Sequence, residues 1–375
     1  MTRVASVSTF GVSQGDHMTE MNVDTSTPVL VTGATGYVAG WVIKKLLERG
    51  LTVHATVRNA SNKDRLSYLQ EMADASPGAI TFFEADLVRP GSFAEAMKGC
   101  STVFHIASPY TVSVKDAQKE LVEPALEGTR NVLRQVNETP SVKRVVLTSS
   151  CAAIFGDAAD VAEMPNQMLS EDVWNTSSSL GHQAYSYSKT IAEREAWKMH
   201  SAQDRWRLVV MNPAGIFGPG VKFHGDAESF SVMKQMGDGT FAMGVPDWRI
   251  GFVDVRDVAE AHLRGAFMPG AEGRHILVGR DSGFVEMATI LRQNFPGYPI
   301  GKRVMPKFAL WLVGPLANPV FTRKIVSRNV GHPWKSNTTK SREKLGVTYR
   351  PLEETLVEHF QQVIDAGTFA KKKAA

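Results

Sequence analysis

The stretch Val29-Leu-Val-Thr-Gly-Ala-Thr-Gly-Tyr-Val-Ala-Gly40 decides the fold. Its apolar run ends at Gly33, and the spacing of a helix face continues from Val38 to Arg49. Gly33 permits a tight turn, and Gly36 lets the backbone approach a pyrophosphate at the helix N-terminus. Ala39 takes the place of a third glycine and is small enough for close helix-to-strand packing. A Gly-x-x-Gly loop between a strand and a helix predicts a dinucleotide site.

Composition excludes several classes of protein. The 375 residues are 43% hydrophobic and 21% charged, a globular mixture that argues against a disordered chain or a fibre. The net charge of +4 comes with no basic stripe, so no nucleic-acid partner is predicted. Cys100 and Cys151 lack partners at zinc spacing, which predicts reduced thiols, no metal and a cytoplasmic location. The apolar stretch from Phe308 to Phe321 contains Pro315 and is too short for a membrane span, so it predicts a buried or lid-forming helix.

Strand-like runs alternate with helical stretches through the front half of the chain. After the first strand, these runs lie at 52–57, 79–83, 102–106, 144–148 and 208–211. This alternation predicts the α/β class with a doubly wound, Rossmann-like parallel sheet. Beyond residue 212 the pattern is irregular and richer in glycine and proline, which predicts a smaller C-terminal substrate-binding cap at the carboxyl ends of the strands.

The end of the second strand indicates which dinucleotide binds. An acidic residue there would hold a ribose 2′-hydroxyl, but this strand ends in Arg58, and Lys63 follows. A guanidinium suits a 2′-phosphate, so these two cations favour NADP over NAD, unless Arg58 is simply a solvated loop residue. Asp86, after the third strand, is placed to accept from an adenine amino group or to cap a helix.

Two Tyr-x-x-x-Lys patterns occur, and only one fits a helix. The pattern at 298–302 contains Pro299, which forbids the helical turn that would bring its side chains together. Tyr185 and Lys189 open a run of good helix formers, where positions i and i+4 share a face. We therefore expect the phenol and the ammonium of this second pair to converge.

Such a pair suits the reduction of a carbonyl. Addition of hydride leaves an oxyanion that needs a proton, and a phenol with a pKa near ~10 is a poor donor unless a fixed cation lowers that pKa. A hydroxyl on a neighbouring strand end can bind the same oxygen. Ser150 closes the strand 144–148 and precedes Tyr185 by 35 residues. It is the candidate for that hydroxyl, and strand-end capping is the alternative.

These residues together resemble a known family, the extended short-chain dehydrogenase/reductases. Within it the chain resembles the group of dihydroflavonol reductases, cinnamoyl-CoA reductases and methylglyoxal or aldehyde reductases. The resemblance runs from about residue 29 to 366 and is carried by segments whose order and spacing match, at 31–36, 57–58, 103–109, 128–131, 148–150, 185–189, 212–213, 218–219, 252–258, 341–346 and 350–354.

The resemblance implies roles for matching residues. Tyr185 would donate the proton, Lys189 would hold the nicotinamide ribose and tune Tyr185, Ser150 would bind the carbonyl, and Asn131 would support the active site. The residues implied or predicted to bind NADP(H) are Gly33, Thr35, Gly36, Tyr37, Val38, Arg58, Lys63, Asp86, Leu87, Ala107, Ser108, Lys189, Pro213 and Ile216. Ala39 departs from the more frequent third glycine, and the substrate loops match no subgroup, which leaves the substrate open.

The sequence therefore predicts an organisation and an activity. Residues 1–27 are expected to be a flexible leader and 28–212 an NADP-binding domain to which 250–266 return. The cap is expected over 213–366 and a basic tail over 367–375. The predicted activity is NADPH-dependent reduction of an aldehyde, a ketone or a dihydroflavonol-like substrate by a monomer or homodimer. A nucleotide-sugar epimerase or dehydratase of the same fold is the alternative.

Overall fold

The computed structural model describes residues 21–108, 116–317 and 321–369. Within these ranges the strands are β1 Val29–Val31, β2 Thr52–Val57, β3 Ala79–Glu84, β4 Thr102–His105, β5 Arg144–Thr148, β6 Arg207–Pro213, β7 Gly215–Phe217, β8 Val245–Pro246, β9 Arg249–Asp254, β10 Gly273–Leu277, β11 Arg280–Gly283 and β12 Val304–Met305. The helices are α1 Tyr37–Glu48, α2 Lys63–Asp74, α3 Ala94–Met97, α4 Glu123–Glu138, α5 Ala184–Ser201, α6 Glu228–Gly237, α7 Val255–Phe267, α8 Phe284–Asn294, α9 Lys307–Ala317, α10 Arg323–Asn329, α11 Thr339–Lys344 and α12 Leu352–Asp365.

Seven parallel strands form the main sheet in the order β10-β6-β5-β4-β1-β2-β3. All three residues of β1 are fully buried, as expected of a strand that is covered on both faces. The strand order reverses between β1 and β4, and a crevice for ligands forms at the carboxyl ends of such strands. The predicted doubly wound sheet is confirmed, and β10 adds an edge strand that the sequence did not indicate.

Helices cover both faces of this sheet. Helices α1, α2 and α7 pack on one face around side chains such as Ile43, Leu46 and Leu263. Helices α4 and α5 lie on the other face, where Val132 and Trp206 are buried. Helix α7 lies late in the chain but packs on the main sheet. The apolar residues over 255–267 recur at helical spacing, and they form the face that packs there.

A smaller cap follows β6, as predicted. It contains the three-stranded sheet β11-β9-β7 and the helices α6, α8 and α12. Its core is built on buried aromatic and aliphatic side chains, among them Phe230, Met233, Phe252, Leu356 and Phe360. Asp254 caps α7 and accepts from the hydroxyl of Thr355 in α12, and Arg256 of α7 pairs with Glu358 of the same helix, so these contacts tie the cap to α7.

The N-terminal end is more ordered than predicted over the residues described. The expectation of a flexible leader is wrong from residue 21 onward, because Asn22 donates its N–H to the carbonyl of Phe267 and Met21 packs on the core. Phe369, in the predicted tail, packs on Phe360 with ring centroids 5.4 Å apart. Residues 1–20 and 370–375 lie outside the described residues. No helix in the described part of the chain is long and apolar enough to cross a membrane.

Candidate active site

The glycine loop after β1 is tightly built. Gly33 has φ +67°, and a Cβ there would lie 2.9 Å from the Cβ of Ala107 after β4. Gly36 donates its N–H to Gly33 and is the exposed N-cap of α1. The first backbone N–H groups of a helix lack partners within the helix, so this end of α1 suits an anion. Thr35 and Val38 lie half-buried on either side of the cap.

Tyr37 is oriented differently from its neighbours in the loop. Its phenol donates to the carbonyl of Gly218, and its ring packs edge-to-face on Phe230 in the cap core. Burial raises its pKa well above the usual range. The side chain therefore joins α1 to the cap, and only the backbone of Tyr37 remains at the loop.

Two cations lie at the carboxyl end of β2. Arg58 directly follows the strand and Lys63 begins α2, and both side chains are exposed. Neither forms an ion pair within the described residues, so both charges can meet a ligand phosphate. Asp86 uses Oδ1 to accept the N–H of Val88 across a turn. It caps no helix, because the next helix, α3, begins at Ala94, and its role toward adenine stays a prediction.

Tyr185 and Ser150 meet at the carboxyl edge of the sheet. Ser150 follows β5 and caps a short 3₁₀ turn, accepting the N–H of Ala152 at 3.1 Å. Tyr185 lies in the first turn of α5, after Gln183 in the left-handed conformation. The hydroxyl of Ser150 hydrogen-bonds the phenol. The two hydroxyls that are expected to bind the substrate oxygen thus lie together.

Burial decides the pKa of the phenol. Desolvation raises the pKa of Tyr185 to about 12, and the hydrogen bond to Ser150 only partly opposes it. Lys189, which the sequence predicts will lower this pKa, has its Nζ 5.7 Å from the ring centroid and donates to Ser108 Oγ at 3.0 Å, and the pKa is raised nonetheless. Tyr185 therefore carries its proton at neutral pH.

Lys189 occupies a buried position one helical turn after Tyr185. Desolvation lowers its pKa to about 8, and the negative charge of Glu193 opposes that shift. His105 lies at the end of β4, and desolvation together with Lys189 lowers its pKa to about 3, so it stays neutral. Thr32 contacts the ring of His105 through a hydroxyl that also accepts the backbone N–H of Ala107.

The remaining predicted residues lie around the same crevice. Ala107 packs on the glycine loop, and Leu87 accepts the side-chain amide of Asn131 at its carbonyl. Pro213 ends β6, with its carbonyl 3.5 Å from Ser150 Oγ, and Ile216 lies half-buried in β7. Segment 109–115, which includes the last residue of the matching segment 103–109, lies outside the described residues. Within those described, no cluster of three His, Cys, Asp or Glu side chains is suited to a metal.

Sequence reasoning missed a buried ion pair beneath the site. Glu193 lies one turn after Lys189 and binds Arg274 of β10, with Oε1 2.6 Å from Nε. Ser149 and Asn212 donate to Oε2 of the same carboxylate. The i+4 spacing from Lys189 was the available signal, but the partner on β10 is 81 residues away.

The glycine loop, the sheet and the paired hydroxyls define a dinucleotide-binding protein of the Rossmann class. Comparison with known proteins makes this specific: residues 29–279 match the NAD dependent epimerase/dehydratase family, and the chain belongs to it. This agrees with the predicted membership in the extended short-chain dehydrogenase/reductases.

Several relatives are reductases by name. Cinnamoyl-CoA reductase CAD2 of Medicago truncatula is 37% identical over 278 residues, covering 73% of this chain and 83% of its own. Dihydroflavonol 4-reductase of Gerbera hybrida is 29% identical over 293 residues, covering 75% of this chain and 76% of its own. The structure of Gre2 from Candida albicans in complex with NADPH superposes with a TM-score of 0.72 at 27% identity, covering 91% of this chain and 99% of Gre2.

Proposed function

We propose that this protein is an NADPH-dependent carbonyl reductase that converts an aldehyde, a ketone or a dihydroflavonol-like substrate to an alcohol. The observation that carries the proposal is the hydrogen-bonded pair Ser150 and Tyr185, with buried Lys189 one turn away, beside the glycine loop. The reductase names of the relatives and the NADPH in the Gre2 complex support the same activity.

The residues present fit the cofactor. The turn at Gly33, the exposed N-cap Gly36 and the N–H groups of the first turn of α1 would hold the pyrophosphate. Arg58 and Lys63 would bind a 2′-phosphate. Ala107, Ser108, Pro213 and Ile216 would line the nicotinamide end. When bound, the nicotinamide supplies the hydride.

The chain's own groups then bind and protonate the substrate oxygen. Ser150 and Tyr185 donate hydrogen bonds to that oxygen, and Tyr185 transfers its proton to it as negative charge develops. The ammonium of Lys189 stabilises the resulting phenolate. A phenol with a pKa of about 12 is fully protonated beforehand, which favours the direction of reduction.

A substrate panel tests the proposal. NADPH absorbance is followed with aldehydes, diketones, dihydroflavonols and acyl-CoA thioesters, and we expect net oxidation with at least one class. The epimerase alternative predicts no net oxidation, together with conversion of a nucleotide sugar while the cofactor is retained. Absence of turnover with every carbonyl, combined with such a conversion, would establish the alternative.

Replacing Arg58 by glutamine should change cofactor preference. Loss of one charge-assisted hydrogen bond, worth about 1.5–3 kcal/mol, should lower kcat/KM for NADPH by roughly 10- to 150-fold. The value for NADH should change little, since NADH has no 2′-phosphate. Lys143→Gln, an exposed cation just before β5 at the opposite edge of the sheet, is the control. Equal losses with NADPH and NADH would contradict the assignment.

The pH profile should report the charge of Lys189. Its lowered pKa of about 8 means that the ammonium is present below this pH and lost above it, so reduction should decline with a midpoint near 8. Arginine stays charged throughout this range, so in Lys189→Arg the profile should become flat even if the rate is lower. A decline that persists in Lys189→Arg would assign it to another group.

A further inference from the structure

Helix α9 carries apolar side chains on its outer face. Phe308, Leu312 and Leu316 are exposed by 75%, 58% and 88%, and Trp311 is exposed by 38%. Among the described side chains of this helix, Leu310 is the only large one that is buried. It packs near Val326 of α10 and near Val330, which directly follows α10. Of the two predicted alternatives, a buried or a lid-forming helix, burial is wrong, because the inner face uses one leucine and the larger apolar surface points outward. A contiguous patch of this kind marks a docking surface.

The charge around this patch has one sign. Residues 287–342 contain ten Lys and Arg and no Asp or Glu. Because the whole chain has a net charge of only +4, the rest of it carries −6. Five exposed cations lie in or close to α9, namely Lys302, Arg303, Lys307, Arg323 and Lys324. None of these five forms an ion pair with another described residue, so their charges are not neutralised by the chain.

The cations border the apolar face directly. Arg323 lies over the ring of Trp311, 4.7 Å from its centroid. A shallow pocket between α9 and the start of α10 is lined by Leu312, Leu316 and Lys324 together with neighbouring side chains. Apolar and aromatic residues flanked by Lys and Arg are the composition of helices that lie in the interface of an anionic bilayer.

We propose that α9 and the start of α10 form a docking surface for an anionic lipid bilayer. A second copy of the chain fits less well, since a two-fold interface would bring this patch against itself and place its cations together. A lipid surface instead supplies the opposite charge and an apolar layer into which Phe308, Leu312 and Leu316 insert. The helix lies flat on the surface and does not span the membrane.

The docking surface contains none of the residues of the cofactor crevice. Helix α10 continues from the patch to Arg328, which pairs with Asp157 and Asp160 in the segment before Tyr185. The surface is thus linked through Arg328 to the segment that holds Asp157 and Asp160. Binding to a bilayer and turnover of a water-soluble carbonyl are therefore separable.

Sedimentation with vesicles tests the proposal on the full-length protein. The protein should pellet with vesicles of phosphatidylcholine and phosphatidylserine, and less with phosphatidylcholine alone or at high salt. Removing two charges in Arg323→Gln/Lys324→Gln should weaken this binding by about 30-fold. Leu312→Ser/Leu316→Ser should weaken it by about 10-fold or more, because less apolar area inserts.

Matched variants control for general effects. Lys143→Gln/Arg207→Gln removes two exposed cations at the opposite edge of the sheet, and Met243→Ser removes an apolar side chain exposed by 91%. Both should bind vesicles like the parent, and the lysines at 371–373 are unchanged in all variants. Parent protein that stays in the supernatant would overturn the proposal, as would pelleting that the α9 variants do not reduce. A dimer that Leu312→Ser/Leu316→Ser converts to monomers, without vesicle binding, would assign the patch to a second copy.

Discussion

Tyr185→Phe is expected to lower kcat for NADPH-dependent carbonyl reduction by about 10²- to 10⁴-fold, the contribution typical of a general acid. Phenylalanine keeps the half-buried ring at the start of α5 and removes only the hydroxyl that hydrogen-bonds Ser150. The substrate oxygen then loses its proton donor while Ser150 and Lys189 remain. Steady-state kinetics with any carbonyl identified from the panel measure the effect.

The same helix provides the control for this variant. Tyr187 is half-buried two residues further along α5, so Tyr187→Phe makes an identical chemical change on another face. We expect kcat within about threefold of the parent for Tyr187→Phe, because removing a hydroxyl outside the reacting group costs little. NADPH binding, followed by its fluorescence, should be similar in both variants. Full turnover by Tyr185→Phe would show that another group supplies the proton.

The sequence predicted those parts of the site that depend on short spacing. The turn at Gly33 and the convergence of Tyr185 and Lys189 follow from residues within a few positions of one another, where backbone geometry leaves little choice. Ser150 was found because a polar residue closing a buried parallel strand must lie at the carboxyl edge of the sheet. The alternation of strands and helices likewise predicted six of the strands in the main sheet.

Features that depend on distant contacts were not predictable in this way. The ring of Tyr37 turns toward Gly218, which is 181 residues later, and nothing near position 37 indicates that direction. The raised pKa of Tyr185 depends on how completely the folded chain removes water from the phenol. The strand β10 pairs with β6 across 60 or more residues, so its place in the sheet follows from tertiary packing and not from its own pattern.

Glu193 and Arg274 form the contact whose removal should affect stability most. The side chains of the pair are exposed by 0% and 6%, and Arg274 also donates to the carbonyls of Glu171 and Val173. Its guanidinium stacks on Trp174, 4.1 Å from the ring centroid. One arginine thus joins β10, the catalytic helix α5 and the loop that precedes it.

Arg274→Met should reduce the free energy of unfolding by about 3–5 kcal/mol, because it leaves the carboxylate of Glu193 buried without its cation. At ~2.1 cal/mol/K of unfolding entropy per residue, this corresponds to a fall in Tm of about 4–6 °C, measurable by calorimetry. Arg280→Ala breaks an exposed pair with Glu286 and should cost no more than about 1 kcal/mol.

The double variant Glu193→Met/Arg274→Met tests whether the ion pair itself stabilises the fold or only offsets the cost of burying two charges. Replacing both charges by apolar side chains removes the desolvation penalty together with the attraction, so the loss should be smaller than in Arg274→Met alone. Ser149 and Asn212 would still lose their shared acceptor, which keeps the double variant below the parent. If the double variant is destabilised by the sum of the two single variants, Glu193 and Arg274 act independently and the ion pair does not couple α5 to β10.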